Sequence, residues 1–188
     1  MKNRDDILKR YLSEQIALEE HLCRIIEDQI EEIEGPDFAD AKSLLTKTRL
    51  TLEQQFEPLN ALLDKLESDA LIAQTKAAAN NGGGVKNPLA TEQHTTSISK
   101  ILCNDYSALN LITISNTLLH TTALALQCDD VAATALKHLE NLAPLVIKIG
   151  QLMPEVLARE LHQESPTIDV AVAQAALENT RRAWHKAS

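Results

Sequence analysis

From Asp5 to Glu34 the apolar residues return at helical spacing, with Leu8, Leu12, Leu22, Ile26, Ile30 and Ile33 falling within one stripe at about 100° per residue. Gly35-Pro36 stops that pattern, so the first helix is predicted over about 5–34. A second stripe, Ala41, Leu45, Leu52, Phe56, Leu59, Leu63 and Leu66, predicts a helix over 38–69 capped by Asp37 or Asp40. The short link makes the two an antiparallel hairpin. Periodicity then fails over 70–96, where Asn80-Asn81-Gly82-Gly83-Gly84 and Asn87-Pro88 break any regular element. It resumes for helices over 97–127 and 129–161, with Asp129-Asp130 as turn and N-cap, giving a second hairpin. Ser165-Pro166 reads as the N-cap and first position of a fifth helix, 166–185, which ends in Arg181, Arg182 and Lys186.

These elements predict an all-α protein with one domain over 1–188. A helix of about 30 residues is about 45 Å long, and the connection over 70–96 has the length to run back along it. The expected architecture is therefore a four-helix bundle with one long crossover between helices 2 and 3, plus the C-terminal fifth helix; the alternative is that this connection is a disordered excursion.

Several polar residues fall on apolar faces. Glu19 lies between Leu12, Leu22, Cys23 and Ile26, with Gln15 one turn earlier as its nearest partner within the helix. A buried carboxylate must be paired, protonated or metal-bound, since burying it alone costs several kcal/mol. Across the first hairpin Glu53 is expected level with Glu19 at the margin of its stripe, with Phe56 central. In the second hairpin His120 and His138 fall at nearly equal height at the edges of their apolar stripes, and Asn116, a turn away at the height of Glu19 if the long connection is a crossover, points further inward among Ile112, Leu119 and Ala123, on the face that also carries Asp105. Glu19, Glu53, Asn116, His120 and His138 thus form a candidate metal site, for which carboxylate and imidazole suit iron, manganese or zinc. The alternative reading of the same residues is a hydrogen-bonded polar layer that sets helix register. Pro58 and Pro144 interrupt helices near this height, where a bend opens room for a small-molecule ligand or merely curves the helix.

Composition narrows the classes. A formal charge of −9 argues against nucleic acid as a partner, which selects clustered Lys and Arg. No apolar run approaches the ~20 residues of a membrane helix, and the N-terminal residues lack a signal-peptide core, so no membrane association and a cytoplasmic location are expected. The three cysteines, Cys23, Cys103 and Cys128, have no metal-type spacing and are expected as free thiols. Gly82-Gly83-Gly84 lacks a following P-loop Lys-Ser/Thr and no nucleophile–base pair is placed, so no catalytic residue is assigned. The acidic series Glu27, Asp28, Glu31, Glu32, Glu34, Asp37 and Asp40 reads as a solvated face. The third helix is apolar around much of its circumference, with Leu102, Leu109, Leu111, Ile114, Leu118 and Leu124 besides its core stripe. Either the fifth helix or a second copy of the chain covers the extra side, and a homodimer is expected.

The stretches Tyr11-Leu12-Ser13-Glu14-Gln15-Ile16-Ala17-Leu18-Glu19, Leu52-Glu53-Gln54-Gln55-Phe56 and Asp105-Tyr106-Ser107-Ala108-Leu109 make the chain resemble the ferritin-like superfamily over its four main helices. Within it, the chain is most similar to the small bacterial stress-associated proteins of the YciF type. That resemblance implies Glu19 as the ligand from the first helix and Glu53 as the acid of the second-helix motif. The sequence departs from the two-metal pattern, with Phe56 where a histidine is wanted and Ala135-Leu136-Lys137-His138 in place of Glu-x-x-His. The function implied is a ferritin-like stress-associated protein with a reduced or vestigial metal site. Other readings are a non-enzymatic helical interaction module and a small-molecule sensor.

Overall fold

The computed structural model describes the backbone of residues 4–73 and 97–187, and every described element is helical. α1 spans Arg4–Glu32, a 3-10 turn Pro36–Phe38, α2 Ala39–Ala73, α3 Ile98–Ala125, α4 Asp129–Glu164 and α5 Val172–Ala187. The predicted crossover over 70–96 lies outside the described residues except for the last turn of α2. No described helix is long and apolar enough to cross a membrane.

The buried positions explain why these segments are helices and why they pair. In α1, Leu8, Leu12, Gln15, Glu19, Leu22 and Ile26 step alternately by four and three residues, and all are buried. In α2 the same rhythm runs through Ala41, Leu45, Thr48, Leu52, Gln55 and Leu59. It recurs as Leu102, Asp105, Leu109, Ile112, Asn116 and Leu119 in α3, and as Ala135, His138, Leu142, Leu145 and Ile149 in α4. A stripe of this period presents a narrow apolar seam to neighbours at a small crossing angle, which is how long helices lie side by side.

Contacts along the seams fix the directions. α1 and α2 are antiparallel about Gly35, whose φ of +83° favours glycine because a Cβ is disfavoured there. Lys42 Nζ donates to the Ile33 carbonyl across that turn, at 2.9 Å. α3 and α4 are antiparallel: His120 Nδ1 lies 2.8 Å from the Ala132 carbonyl oxygen, and at the other end Ser99 N donates to Glu160 Oε1 at 3.1 Å. Between them Gly150 lets the helices approach, since a Cβ there would stand 3.2 Å from the Tyr106 ring. α1 packs on α2 and α3, and α4 on α2, α3 and α5. Lys65 near the end of α2 pairs with Asp130 at the start of α4 (2.6 Å), and Asp40 at the start of α2 pairs with Arg159 near the end of α4 (2.5 Å). α2 and α3 therefore run in the same direction, with the end of one and the start of the other at opposite ends of α4.

Arg159 makes the firmer of those ties. Its guanidinium takes both oxygens of Asp40, donates to the Asp37 carbonyl and lies over the Phe38 ring at 5.7 Å. That bond to Arg159 holds the Asp40 carboxyl below the usual carboxylate range. At the opposite end Arg4 donates to the Gln127 carbonyl (2.8 Å) and to Cys128 Sγ (2.7 Å), fastening the start of α1 to the α3–α4 turn.

Two sequence-based expectations about helix starts are corrected. The residue preceding α4 is Cys128, which makes no side-chain cap bond, while Asp129 and Asp130 sit inside the first turn. The fifth helix begins at Val172 instead of 166, because residues after Ser165 form turns. Ile168 N donates to the Ser165 carbonyl (3.0 Å), and Asp169 Oδ1 accepts from Ala171 N (2.9 Å), so Ser165 closes a turn instead of capping the helix, and Asp169 stands at the approach to α5. Among the described side chains of α5 only Ala173 is buried.

Leu109 is fully buried between the seams, whereas Leu50 on α2 is 44% exposed. Leu109→Ala should lower stability by about 2–5 kcal/mol and Leu50→Ala by about 0.5 kcal/mol or less, read from urea unfolding followed by circular dichroism.

Candidate functional site

At mid-height the stripes of all four long helices carry a polar residue, and these meet around one carboxylate. Glu19 is fully buried. Its Oε1 accepts from Gln15 Nε2 at 2.6 Å, one turn back on the same helix, and from Asn116 Nδ2 of α3 at 3.3 Å. From α2 comes Gln55, whose side-chain amide, turned with its nitrogen toward the carboxylate, lies 3.2 Å from Oε2 and 3.3 Å from Oε1. From α4 His138 brings Nδ1 to 3.7 Å of Oε1, within ion-pair reach of a protonated imidazole but beyond a hydrogen bond. All five side chains are buried.

The local origin of each placement is the phase of its helix. Gln15 and Glu19 are one turn apart on the α1 seam, which makes their bond a property of that helix alone. Asn116 occupies the α3 seam between Ile112 and Leu119 and also donates to the Ile112 carbonyl, at 3.3 Å. His138 takes the seam position between Ala135 and Leu142. Three polar atoms here, Gln15 Oε1, Asn116 Oδ1 and His138 Nδ1, have no hydrogen-bond partner among the described residues.

Of the residues named from the sequence, Glu19, Asn116 and His138 come together and two do not. Glu53 is exposed and holds Arg49 at 2.5 Å, a guanidinium that also lies 3.6 Å from Glu27 on α1. The reason is phase: the α2 seam runs through Leu52 and Gln55, and residue 53 is turned about 100° from Leu52 toward solvent. Phe56, expected to be central, is only partly buried beside the core. His120 is half-buried and satisfied by the Ala132 carbonyl, so it serves the α3–α4 contact instead of the layer. Gln55 was missed, although the spacing of Ala41, Leu45, Leu52 and Leu59 leaves open the two places that Thr48 and Gln55 fill. Thr48 is satisfied by its own helix, donating to the Leu44 carbonyl at 2.9 Å.

About 15 Å along α1 lies a second buried acid, Asp105 of α3. Its partner is Gln29, whose amide nitrogen, turned inward, lies 3.0 Å from Oδ2 and 3.3 Å from Oδ1. Burial pushes the Asp105 carboxyl up to about 7, against the opposing pull of Gln29.

Chemically, the Glu19 layer offers one carboxylate, one imidazole and three amides. Among the described residues no group of three or more His, Cys, Asp or Glu is arranged to hold a metal ion. Clefts of about 600, 520 and 390 Å³ lie on α2, between α3, α4 and α5, and around Arg4 and Cys128, and none of these three touches Pro58 or Pro144. The three cysteines are free, with Cys23 buried and Cys103 exposed. Comparison with family models, curated proteins and solved structures finds no match to the chain.

The raised Asp105 carboxyl implies a stability term fully present below the ordinary aspartate range and lost as pH rises toward about 7. Relative to the native chain, Asp105→Asn should therefore gain about 2–4 kcal/mol between roughly pH 4 and pH 7, then hold that difference. Urea unfolding across that range checks it, and a pH-independent difference would contradict the burial of an ionisable Asp105.

Proposed function

We propose that the chain is a homodimeric, ferritin-like, stress-associated helical-bundle protein whose metal layer is vestigial, with the Glu19 cluster holding the helices in register. The observation that carries this reading is the single buried carboxylate at mid-bundle, met by one polar side chain from each of the other three long helices. The reading is also supported by the order of the helices: two antiparallel hairpins with α2 and α3 running in the same direction, as a ferritin-like crossover requires.

The donor set does not fit a two-metal centre. Such a centre takes an acid from each of four helices and a histidine from two of them. Around Glu19 the other helices bring Gln55, Asn116 and His138, so one negative charge stands where the pattern has four. Amides donate their N–H groups to the carboxylate, which spends its lone pairs on Gln15, Gln55 and Asn116. A single iron, manganese or zinc ion would have the Glu19 carboxylate and the unpartnered Gln15 Oε1, Asn116 Oδ1 and His138 Nδ1 to draw on, and would compete with the amide N–H groups for that one carboxylate. Retaining the hydrogen bonds makes the layer a register device: sliding one helix by a turn would leave Glu19 short of donors, at several kcal/mol.

Metal analysis of protein prepared without chelators and offered iron, manganese and zinc should find well below one equivalent. Glu19→Ala should leave that content unchanged while costing about 3–5 kcal/mol of stability, because it strands the amides around it. A full equivalent of metal that disappears in Glu19→Ala would overturn the vestigial reading. For the stress role, cells lacking the protein should recover more slowly from peroxide or osmotic shock, and equal recovery would defeat it.

The interaction-module reading has an observation of its own. Leu111, Ile114, Leu118 and Leu124 of α3 are each between 43% and 59% exposed, and α5, which packs on α4, leaves them so.

A further inference from the structure

α3 carries two seams, and among the described residues only one of them faces the other helices. The inner seam runs through Leu102, Asp105, Leu109, Ile112, Asn116 and Leu119. On the opposite side Ser107, Leu111, Ile114, Leu118, Thr121 and Ala125 repeat the same alternation of four and three residues, and every one is exposed. A helix in water needs one apolar stripe; a second stripe with the seven-residue period is the pattern of a helix with a second helical neighbour.

The chemistry of this outer stripe is that of a covered surface. Between Ile101 and Gln127 the only Asp, Glu, Lys or Arg is Asp105, which is buried, although the chain as a whole carries a charge of −9. Hydroxyls on it and beside it bond to their own helix: Ser107 Oγ donates to the Cys103 carbonyl, Thr117 Oγ1 to that of Thr113 and Thr121 Oγ1 to that of Thr117, at 2.8–3.0 Å. Each thereby spends its proton on its own helix. Leu136, Ala143 and Ile147 continue the surface along α4, on the flank that meets α3 through Ala132 and Gly150.

We infer that this face is the interface with a second copy of the chain, in which α3 crosses its symmetry mate antiparallel with Ile114 at the two-fold axis. The inference deepens the dimeric part of the reading above and rests on it. Three observations select a second copy as the occupant. The stripe is nearly palindromic about Ile114, with Leu111 and Leu118 three and four residues away and the small Ser107 and Thr121 each seven away, so an antiparallel mate sets large residues on large and small on small. Two chains of charge −9 repel each other, and the contact that costs least is one without formal charge, whereas a basic partner would select acids here and a nucleic acid would select bases. The stripe is about 28 Å long, and with the α4 flank about 20 Å wide, so it offers roughly 560 Å² per chain, or about 1,100 Å² in total, just above the ~1,000 Å² that a biological interface clears and below the ~1,600 Å² of a standard one.

Sedimentation equilibrium of the full chain should give twice the 20.7 kDa chain mass, and Ile114→Glu should weaken self-association by roughly thirtyfold or more, as loss of a central anchor does, without changing helicity by circular dichroism. Ile114 is 59% exposed, so the charge has solvent to occupy in the monomer. As an independent measurement, Ile114→Cys in a chain with Cys103→Ser and Cys128→Ser should oxidise to a disulfide-linked dimer, because the axis brings residue 114 against its own copy, while Leu50→Cys on the same background should not. A monomer at every concentration would overturn both the dimer and this interface. A dimer that survives Ile114→Glu and fails to cross-link at residue 114 would overturn the interface alone.

Discussion

A carboxylate removed from water has to be solvated by the protein, and Glu19 imposes that requirement on all four long helices at once. Gln15 meets part of it from the same helix, but Asn116, Gln55 and His138 reach it only when α3, α2 and α4 stand at one relative height. Apolar side chains tolerate small slips, because dispersion contacts are numerous and individually weak. A buried anion does not, since each lost donor costs on the order of a kcal/mol or more. The apolar seams therefore hold the helices together, while the layer around Glu19 says where along their length they meet.

Asp105 shows what happens when the same burial comes with less company. It has one amide partner, Gln29, and its carboxyl is pushed up to about 7. Asp40 marks the other extreme: at the surface, gripped through both oxygens by Arg159, it is held below the ordinary range. The two acids pull the stability of the protein in opposite directions as pH changes, because desolvation favours the protonated form and a guanidinium favours the ionised one.

The charge of the molecule is distributed to match its packing. Acids cluster where α1 turns into α2 and are answered there by Arg159 and Gln163 from α4. At the other end Arg4 and Lys65 reach the α3–α4 turn. α3 stands apart, with Asp105 its only Asp, Glu, Lys or Arg between Ile101 and Gln127, so its outer surface carries little of the charge that covers the rest of the chain.

Much of this was legible in the sequence. A carboxylate in phase with leucines can only point inward, so Glu19 and its partner Gln15 followed from α1 alone, and Asn116 from the inner stripe of α3, whereas the sequence put His138 only at the edge of its stripe. Gln55 and Glu53 were confused because the height of a residue across a hairpin can be counted along the chain, whereas its azimuth depends on seam phase, and a shift of about 100° exchanges a buried position for an exposed one. His120 could not be assigned from spacing, since the carbonyl that satisfies it belongs to a helix turn on α4. The start of α5 moved because Ser165 and Asp169 organise successive turns within five residues, a local hydrogen-bond pattern that the Ser-Pro signal does not reveal. Periodicity along one chain thus determined which residues are helical and which point inward. Which inward groups touch was decided by the relative height and rotation of separate helices, a relation set by side chains meeting across space and written in no single segment.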